Sequence, residues 1–449
     1  MKNVRSQFLA PNRLFCNNGK FLDPKYLRML LEIQQKQNGF KLVRGLTRKH
    51  LFPNNLEKMN VKRSVDIFKP EVTAVLRYLL NYGHHVGISG FGASLPTIEF
   101  LEIIFKWFTL HNIKSTNFHI FSRDPMRMPF YCENDERLSW LEDTFLAYIN
   151  QWKQAAPANT AFLSPETYEA LHVTTNATVL CTRYLLSHGF KYVLTFKYSS
   201  DEVESLFSAI RQLIGSNDQA DAYAALSALH KIVVTGLIKP SASANVQNSD
   251  FQLSDLLKAP SSPVPQVPRA NAEATLLPYL GQLKTTPAAP CPGIKAATVA
   301  LIGGYLVKVI EEKINCAGCL ERFKCEAQSG PTVAVINNLD RGSLSYPSPQ
   351  FVSFLVTLES AASSIRHLLL ETPKPLSWFV SKVSPAVHEN ALFTCATDVS
   401  DAHKTMLVQT VLEKFVRPFL TNISAHITQE SQKKKVLHNK PLSRKVLKL

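Results

Sequence analysis

Hydrophobic residues recur every three or four positions along most of the chain, which is the spacing of amphipathic or buried helices. In the first half of the chain this spacing predicts helices over 24–37, 70–82, 95–111, 135–152 and 164–187. In the rest of the chain it predicts helices over 200–214, 222–235, 299–313, 349–370 and 403–427. We therefore expect a mainly α-helical protein.

One stretch departs from this pattern. Lys191–Tyr198 is rich in β-branched and aromatic residues, which predicts a strand in a small, incomplete sheet. Ser199 with Glu202 three residues later has the spacing of a capping box, so a helix is predicted to begin there. The predicted buried face of that helix comprises Val203, Leu206, Phe207, Ile210 and Ile214.

Two acidic residues fall in the first turn of this helix. Asp201 and Glu204 are three positions apart and can project to the same side. Carboxylates placed in this way can serve a divalent metal, and we expect Glu204 to open toward a polar cleft. The alternative is that these acids only complement the helix dipole.

The charge of the chain indicates its class of partner. The formal net charge of +15 and the pI near 9.4 favour a polyanion. Seven cations follow Glu430 with no acid among them: Lys433, Lys434, Lys435, Lys440, Arg444, Lys445 and Lys448. This basic tail predicts nucleic-acid binding or nuclear localisation, and the alternative is a solvated, disordered terminus.

Other features of the composition exclude some classes of protein. No apolar run reaches 18 residues, so we expect no membrane partner, and the N-terminus lacks a secretory pattern. The eight cysteines are scattered, which favours reduced intracellular thiols. Residues 240–295 are rich in Pro, Ala and Ser and are predicted to form a mostly disordered linker with a short helical patch.

One pair of cysteines has the spacing of metal ligands. Cys316 and Cys319 form a C-x-x-C motif, with Cys325 nearby, and could ligate zinc. A complete site needs four ligands, and His367 and Cys395 are far away in the sequence. Buried reduced thiols are the alternative interpretation.

Several stretches, taken in order, resemble the P-element family of cut-and-paste DNA transposases, which includes the THAP-domain transposases. KNVRSQFL is similar to the family segment just after the second catalytic aspartate. LTRKHLFPNNLEKMNVKRSV and NDERLSWLEDTFLAYINQW resemble the start and the end of the GTP-binding insertion domain. SSDEVESLFSAIR resembles the return to the RNase H-like core, and GGYLVKVIEEKINCAGC with LDRGSLSYPS resembles the C-terminal module.

The resemblance implies an architecture. The fold class would be mainly α, with a partial RNase H-like α/β core interrupted by an all-helical insertion domain and followed by a helical C-terminal module. The implied segments are a core remnant (1–39), the insertion domain (40–160), the returning core (161–239), the linker (240–295), the C-terminal module (296–428) and the basic tail (429–449).

The resemblance also implies a site. Glu204 matches the third acid of the Asp-Asp-Glu nuclease, which holds Mg²⁺. The residues that match positions around the GTP are Asp201, Asn112, Val61 and Lys58. Thr109 stands where the family favours an acidic residue that reads guanine, so guanine specificity is not expected to be preserved.

One departure from the family limits the expected activity. Met1 stands where the family has its second aspartate, in an Asp-Pro-x-His-Leu motif. We therefore expect the C-terminal part of a P-element-like transposase that is catalytically incomplete. The alternatives are a transposon-derived remnant that binds DNA or protein without catalysis, and an unrelated helical scaffold. The implied partners are transposon-end DNA and a second copy or a full-length transposase, in the nucleus.

Overall fold

The structure, a computed structural model, describes residues 1–37, 39–215, 221–235, 269–285, 289–314, 316–372, 374–395 and 402–438. Most of these residues are helical, so the mainly α prediction is confirmed. None of the described helices combines the length and the hydropathy that crossing a bilayer requires.

The helices agree closely with the hydrophobic spacing. Up to residue 235 they span Lys2–Phe8, Lys25–Lys36, Arg48–Leu51, Asn55–Lys58, Val61–Asp66, Pro70–Tyr82, Leu95–Leu110, Phe118–Ser122, Glu136–Ser139, Leu146–Ala155, Pro165–Ser187, Asp201–Leu213 and Ala222–Thr235. A π-helical segment, Trp140–Phe145, joins two of them. Short 3-10 turns lie at His84–Val86, Pro125–Arg127, Asn159–Ala161 and Thr195–Tyr198.

The second half of the chain is also helical. Its helices span Arg269–Lys284, Ile294–Lys313, Ala317–Phe323, Ala334–Leu339, Pro349–Ser364, Arg366–Glu371, Pro375–His388 and Ala402–His438, with a 3-10 turn at Ala391–Phe393. The predicted helix over 349–370 is therefore two helices that meet at Ile365. The basic side chains of the tail lie outside the residues whose side chains are described.

Strands are few and short. Phe15–Asn17 pairs antiparallel with Lys20–Leu22, and Lys324–Cys325 pairs antiparallel with Tyr346–Pro347. The described residues contain no larger sheet, so the RNase H-like core is not confirmed.

The predicted strand over Lys191–Tyr198 is wrong. Only Val193 pairs, in a single bridge to Phe130, and Thr195–Tyr198 forms a 3-10 turn. The Thr195 hydroxyl donates to the Leu110 carbonyl at 2.6 Å and accepts from the Ile113 amide at 3.2 Å. Strand propensity needs a neighbouring strand to be realised, and a helix end and a loop provide these contacts instead.

The predicted buried face of the next helix is only partly correct. Ile210 is buried, and it packs in a small cluster with Ala228 and Ile232. Val203 and Phe207 are 52% and 56% exposed. The helix begins at Asp201 rather than after Ser199, with Ser200 as its N-terminal flanking residue.

The chain divides into two compact units. Unit 1 comprises Met1–Phe108, Asp143–His172 and Val264–Leu449, and unit 2 comprises Thr109–Glu142 and Val173–Pro263. Residues 40–108 therefore share a unit with the C-terminal helices, while residues 109–142 share a unit with Glu204. These divisions differ from the segments that the resemblance implies.

An aromatic core organises the N-terminal part of unit 1. The rings of Phe15, Phe100 and Phe162 surround Trp152 at centroid distances of 5.0, 5.7 and 4.8 Å. The Trp152 indole donates to the carbonyls of Cys16 at 3.0 Å and Ala161 at 3.1 Å. Because its polar edge is satisfied, this large ring is fully buried without a penalty.

The C-terminal core begins earlier than expected. Arg269–Lys284 falls within the predicted linker, where a short helical patch is expected, and it is a helix that packs on Pro349–Ser364 and Pro375–His388. Its Leu276 and Leu283 are 1% and 0% exposed. The side chain of Asn390 donates to the Leu283 carbonyl at 2.7 Å. The surrounding Pro and Ser gave no sign that this helix belongs to the C-terminal core.

One aromatic residue joins the N-terminal and C-terminal parts of unit 1. Phe40 is 6% exposed, and its ring meets those of Phe415 and Phe419 at 5.0 and 5.6 Å. Gly39 precedes it, and a Cβ at Gly39 would lie 1.7 Å from Oε1 of Glu359. Only glycine lets the backbone pass this close to the buried carboxylate.

Phe40→Ala is expected to lower the free energy of unfolding by about 3–5 kcal/mol, because it leaves a cavity between the two parts of unit 1. Urea denaturation of the full chain measures this loss. Phe121→Ala is the matched control, since that ring is 83% exposed, and it should change stability by less than about 0.5 kcal/mol. Equal losses in the two variants would contradict this account of the junction.

Candidate functional site

A cluster of exposed cations lies on unit 1 between residues 44 and 63. We call it the basic surface, and it comprises Arg44, Arg48, Lys49, Lys58 and Lys62. Three short helices carry all of these cations except Arg44, and each helix has a side-chain cap. The Asn54 side chain accepts from the Glu57 amide at 2.8 Å. The Asn60 side chain accepts from the Arg63 amide at 2.9 Å, and Thr47 forms a capping box with His50. The caps compensate for helices too short to be stable alone.

Glu57 is an acid that contacts the basic surface. Its Oε1 lies 3.7 Å from Nζ of Lys49 and 3.4 Å from Nη1 of Arg63. Its side chain is 13% exposed, and its Oε2 accepts from the Asn54 amide at 3.1 Å. One carboxylate therefore holds two cations together, and the surface keeps a positive excess.

A buried guanidinium lies behind the basic surface. Arg5 is fully buried, and its Nη2 donates to the Lys58 carbonyl at 2.9 Å. Burial lowers the pKa of Arg5, the charge of Arg63 lowers it further, and Glu57 opposes them. Its Nε and Nη1 have no hydrogen-bond acceptor among the described residues. Arg5 therefore adds positive potential to the basic surface from within the fold.

A histidine, an aspartate and a lysine form a network beside the basic surface. His50 Nδ1 accepts from the Thr47 amide at 3.1 Å, and its Nε2 lies 3.3 Å from Oδ2 of Asp66. Nζ of Lys69 lies 2.6 Å from the other carboxylate oxygen. Burial raises the pKa of Asp66, but the hydrogen bonds from His50 and Lys69 outweigh burial and leave that pKa below its usual value.

A cavity of 520 Å³ adjoins this network within unit 1. Residues 40–45 form one wall, and residues of the helices Ile294–Lys313 and Ala402–His438 form another. Its lining includes the cations Lys41, Arg44 and Lys69. Burial lowers the pKa of Lys41. Asp66 and Glu71 also line it, so the cations exceed the acids by one. The cavity has the size of a small-molecule site.

The residues matched to the nucleotide site fall in both units. In unit 1, Lys58 and Val61 are exposed, and Val61 is 46% exposed. In unit 2, Asn112 is half-buried and Asp201 is exposed. Thr109 is 3% exposed, and its hydroxyl has no hydrogen-bond partner among the described residues. Neither unit by itself holds the full set that the resemblance implies for GTP.

Glu204 is exposed on the first turn of the helix Asp201–Leu213. The Ser200 hydroxyl donates to its Oε1 at 2.8 Å. It lines neither of the two cavities of 520 and 440 Å³. Among the described residues, the only group of three or more close metal-ligating side chains is a Cys/His cluster elsewhere in the chain. Mg²⁺ needs several oxygen ligands, so the described surroundings of Glu204 do not fit Mg²⁺.

Sequence reasoning identified Lys58 and missed the groups that organise its surroundings. Arg5, Glu57 and Arg63 are ordinary charged residues in the sequence, and Arg5 is 52 or 53 positions away from the carbonyls it contacts. Glu57 could have been identified from its neighbours in the sequence, because a pair of cations lies at short spacing on either side of it. Nothing local in the sequence indicates that Arg5 is buried.

Comparisons with known proteins identify two domains. A family model described as "TNP-like, GTP-binding insertion domain" matches residues 1–123, and one described as "DNA transposase THAP9, C-terminal domain" matches residues 291–425. The chain therefore belongs to the P-element-type transposase family. No curated protein matches the sequence.

One solved structure is similar to part of the chain. It is the Drosophila P element transposase strand transfer complex, with 19% sequence identity and a TM-score of 0.41. The similarity covers 52% of this chain and 49% of that one, so the chain spans about half the length of the transposase. The family assignment depends on the two domain matches.

Asp66→Asn is expected to cost about 1–3 kcal/mol of unfolding free energy at neutral pH, because two charged hydrogen bonds are lost. The pKa of Asp66 is lowered in the folded state, so its contribution is present above the usual value of 3.8 and is lost as the pH falls through the folded pKa. Urea denaturation at a series of pH values measures the difference between variant and wild type.

Asp23→Asn is the control for this prediction, since Asp23 pairs with the more exposed Lys25 at 3.3 Å. It should have a small effect at every pH. A difference between Asp66→Asn and wild type that stays constant down to the lowest pH at which the protein folds would contradict the assigned role of the charge.

Proposed function

We propose that this transposase-family protein binds DNA through the basic surface and the basic tail, and that it does not cleave DNA by itself. The observation that supports DNA binding is the basic surface, whose five cations are exposed and of which only Lys49 forms an ion pair with an acid of the described residues, Glu57. DNA phosphates attract such clusters independently of base sequence. The net charge of +15 on the chain also favours binding to DNA.

The second half of the proposal concerns catalysis. Glu204 is exposed, and its described partner is the hydroxyl of Ser200. A two-metal nuclease needs several carboxylates within reach of each ion. In this proposal Glu204 contributes to strand cleavage only when further acids are brought to it.

The alternative is a transposon-derived remnant that binds protein. Two helices of unit 2, Asp201–Leu213 and Ala222–Thr235, favour it because they carry exposed apolar side chains: Val203, Phe207, Leu213, Tyr223, Leu226, Val233 and Val234. Large exposed apolar patches mark interaction sites. The DNA-binding measurement separates the two proposals, since a remnant that binds only protein would lack salt-dependent affinity for DNA.

The chain should bind duplex DNA with an affinity that falls with salt, at a log–log slope of about −0.9 per phosphate contact. Lys49→Gln with Lys62→Gln should flatten this slope by about 2 on the same rule. Glu57→Gln should strengthen binding, because Lys49 and Arg63 lose their shared acid. Fluorescence anisotropy of a labelled duplex over a range of salt concentrations measures these changes.

Lys308→Gln is the control for the loss of one exposed cation outside the basic surface, since Lys308 is exposed on the helix Ile294–Lys313, and it is compared with each of the two substitutions made singly. Deleting the residues from Lys433 onward separately measures how much the basic tail contributes to DNA binding. GTP and inorganic triphosphate serve as competitors, and equal competition would indicate phosphate recognition without base recognition at the basic surface. Slopes that are the same in the basic-surface variants and the wild type would refute DNA binding by this surface.

With Mg²⁺ present, the chain should leave supercoiled plasmid DNA and labelled transposon-end duplexes intact, because Glu204 belongs to no group of three or more close metal-ligating side chains among the described residues. Glu204→Ala should bind DNA as the wild type does. Gel analysis of both proteins against a Mg²⁺-free control measures this. Mg²⁺-dependent nicking by the wild type that disappears in Glu204→Ala would overturn the catalytic half of the proposal and leave the binding half standing.

A further inference from the structure

Four potential metal ligands converge in the C-terminal part of unit 1. They are Cys316, Cys319, Cys395 and His403, and one ligand atom from each lies within 4.8 Å of all the others. The sulfurs of Cys316 and Cys395 are 3.8 Å apart, and the Cys395 sulfur lies 3.6 Å from Nδ1 of His403. The C-x-x-C pair thus acquires two further ligands from a distant part of the sequence.

These distances match a tetrahedral zinc site. With Zn–S near 2.3 Å and Zn–N near 2.0–2.1 Å, the edges of a tetrahedron are about 3.8 Å between two sulfurs and about 3.6 Å between sulfur and nitrogen. A disulfide would instead bring two sulfurs to about 2.05 Å. The spacing of Cys316 and Cys395 is that of two ligands on one ion.

Three separate elements deliver the ligands. Cys316 precedes the helix Ala317–Phe323, whose first turn carries Cys319. Cys395 follows the 3-10 turn Ala391–Phe393, and His403 lies in the first turn of the helix Ala402–His438. Ligands that are 79 positions apart in the sequence therefore lie together on the same side of the fold.

Contacts behind the ligands hold these elements in place. Nη1 of Arg322 donates to the Ala391 carbonyl at 2.8 Å and to the Thr394 hydroxyl at 2.7 Å. The buried ring of Phe393 meets that of Phe323 at 5.4 Å and that of Phe354 at 5.1 Å. Such support orients metal ligands before the ion binds.

The surroundings of the thiols favour a bound cation. Cys319 is 1% exposed, and Cys316, Cys395 and His403 are half-buried. Three thiolates at this spacing repel one another, and a divalent cation removes that repulsion and deprotonates its ligands.

The donor set selects the kind of metal and its role. Three thiolates and an imidazole are ligands for zinc and disfavour Mg²⁺ and Ca²⁺, which prefer oxygen. Four protein ligands fill a tetrahedral ion and leave no position for water or substrate. The set is therefore that of a structural site.

We propose that Cys316, Cys319, Cys395 and His403 bind one Zn²⁺ ion, which fastens the helix Ala317–Phe323 and the turn Ala391–Phe393 to the start of the last helix. This site is separate from the basic surface and from Glu204. It is independent of whether the chain binds or cleaves DNA. By closing a long loop, the ion stabilises the C-terminal module relative to the unfolded chain.

The full chain, purified under reducing conditions, should contain one zinc per molecule by inductively coupled plasma mass spectrometry. After zinc is removed, titration with Co²⁺ should give the absorption bands of a tetrahedral, thiolate-bound ion. Cys319→Ser and His403→Ala should weaken Co²⁺ binding by at least about tenfold. A strong chelator should lower the melting temperature of the wild type and have little effect on Cys319→Ser.

Cys325→Ser is the matched control. This thiol lies in the same module, and its sulfur is 3.3 Å from the Pro347 carbonyl, outside the cluster. It should bind metal as the wild type does. Wild-type protein that holds no zinc and gives no tetrahedral Co²⁺ spectrum would overturn the proposal. A Cys316–Cys395 disulfide found by peptide mapping of the non-reduced protein would overturn it as well.

Discussion

The packing of Phe40 between Phe415 and Phe419 is the interaction on which unit 1 depends. It joins the segment that leads into the basic surface to the last helix, which also carries His403. Gly39 must stay small there because the carboxylate of Glu359 occupies the space of a Cβ. Two candidate sites with different chemistry are thus attached to one hydrophobic junction.

Both candidate sites are built on helices too short to persist alone. Arg48–Leu51 and Asn55–Lys58 have four residues each, and Ala317–Phe323 has seven. An isolated helix of this length is unstable in water, because nucleation costs more than a few hydrogen bonds return. Side-chain caps and the Glu57 ion pairs hold the first two helices. Contacts from Arg322 hold the third, and the proposed zinc would add to them. Function and local stability therefore depend on the same side chains.

The spacing of apolar residues predicted the long helices well, because burial of one helical face is a local property of the sequence. It failed at Lys191–Tyr198, where strand formers found no neighbouring strand, and at Val203 and Phe207, which the described fold leaves exposed. Propensity and periodicity indicate which secondary structures a segment can form. The neighbouring elements in the fold decide which of these structures it adopts.

The sequence by itself determined the helical class, the excess of positive charge and the order of motifs that two family domains confirm. These properties are carried by local patterns and by composition. Only the tertiary structure decided that Arg5 is buried behind Lys58 and that Cys395 and His403 lie beside Cys316 and Cys319. The physical reason is that a complete ligand set depends on distance in space, and packing of a common core brings together side chains 79 positions apart.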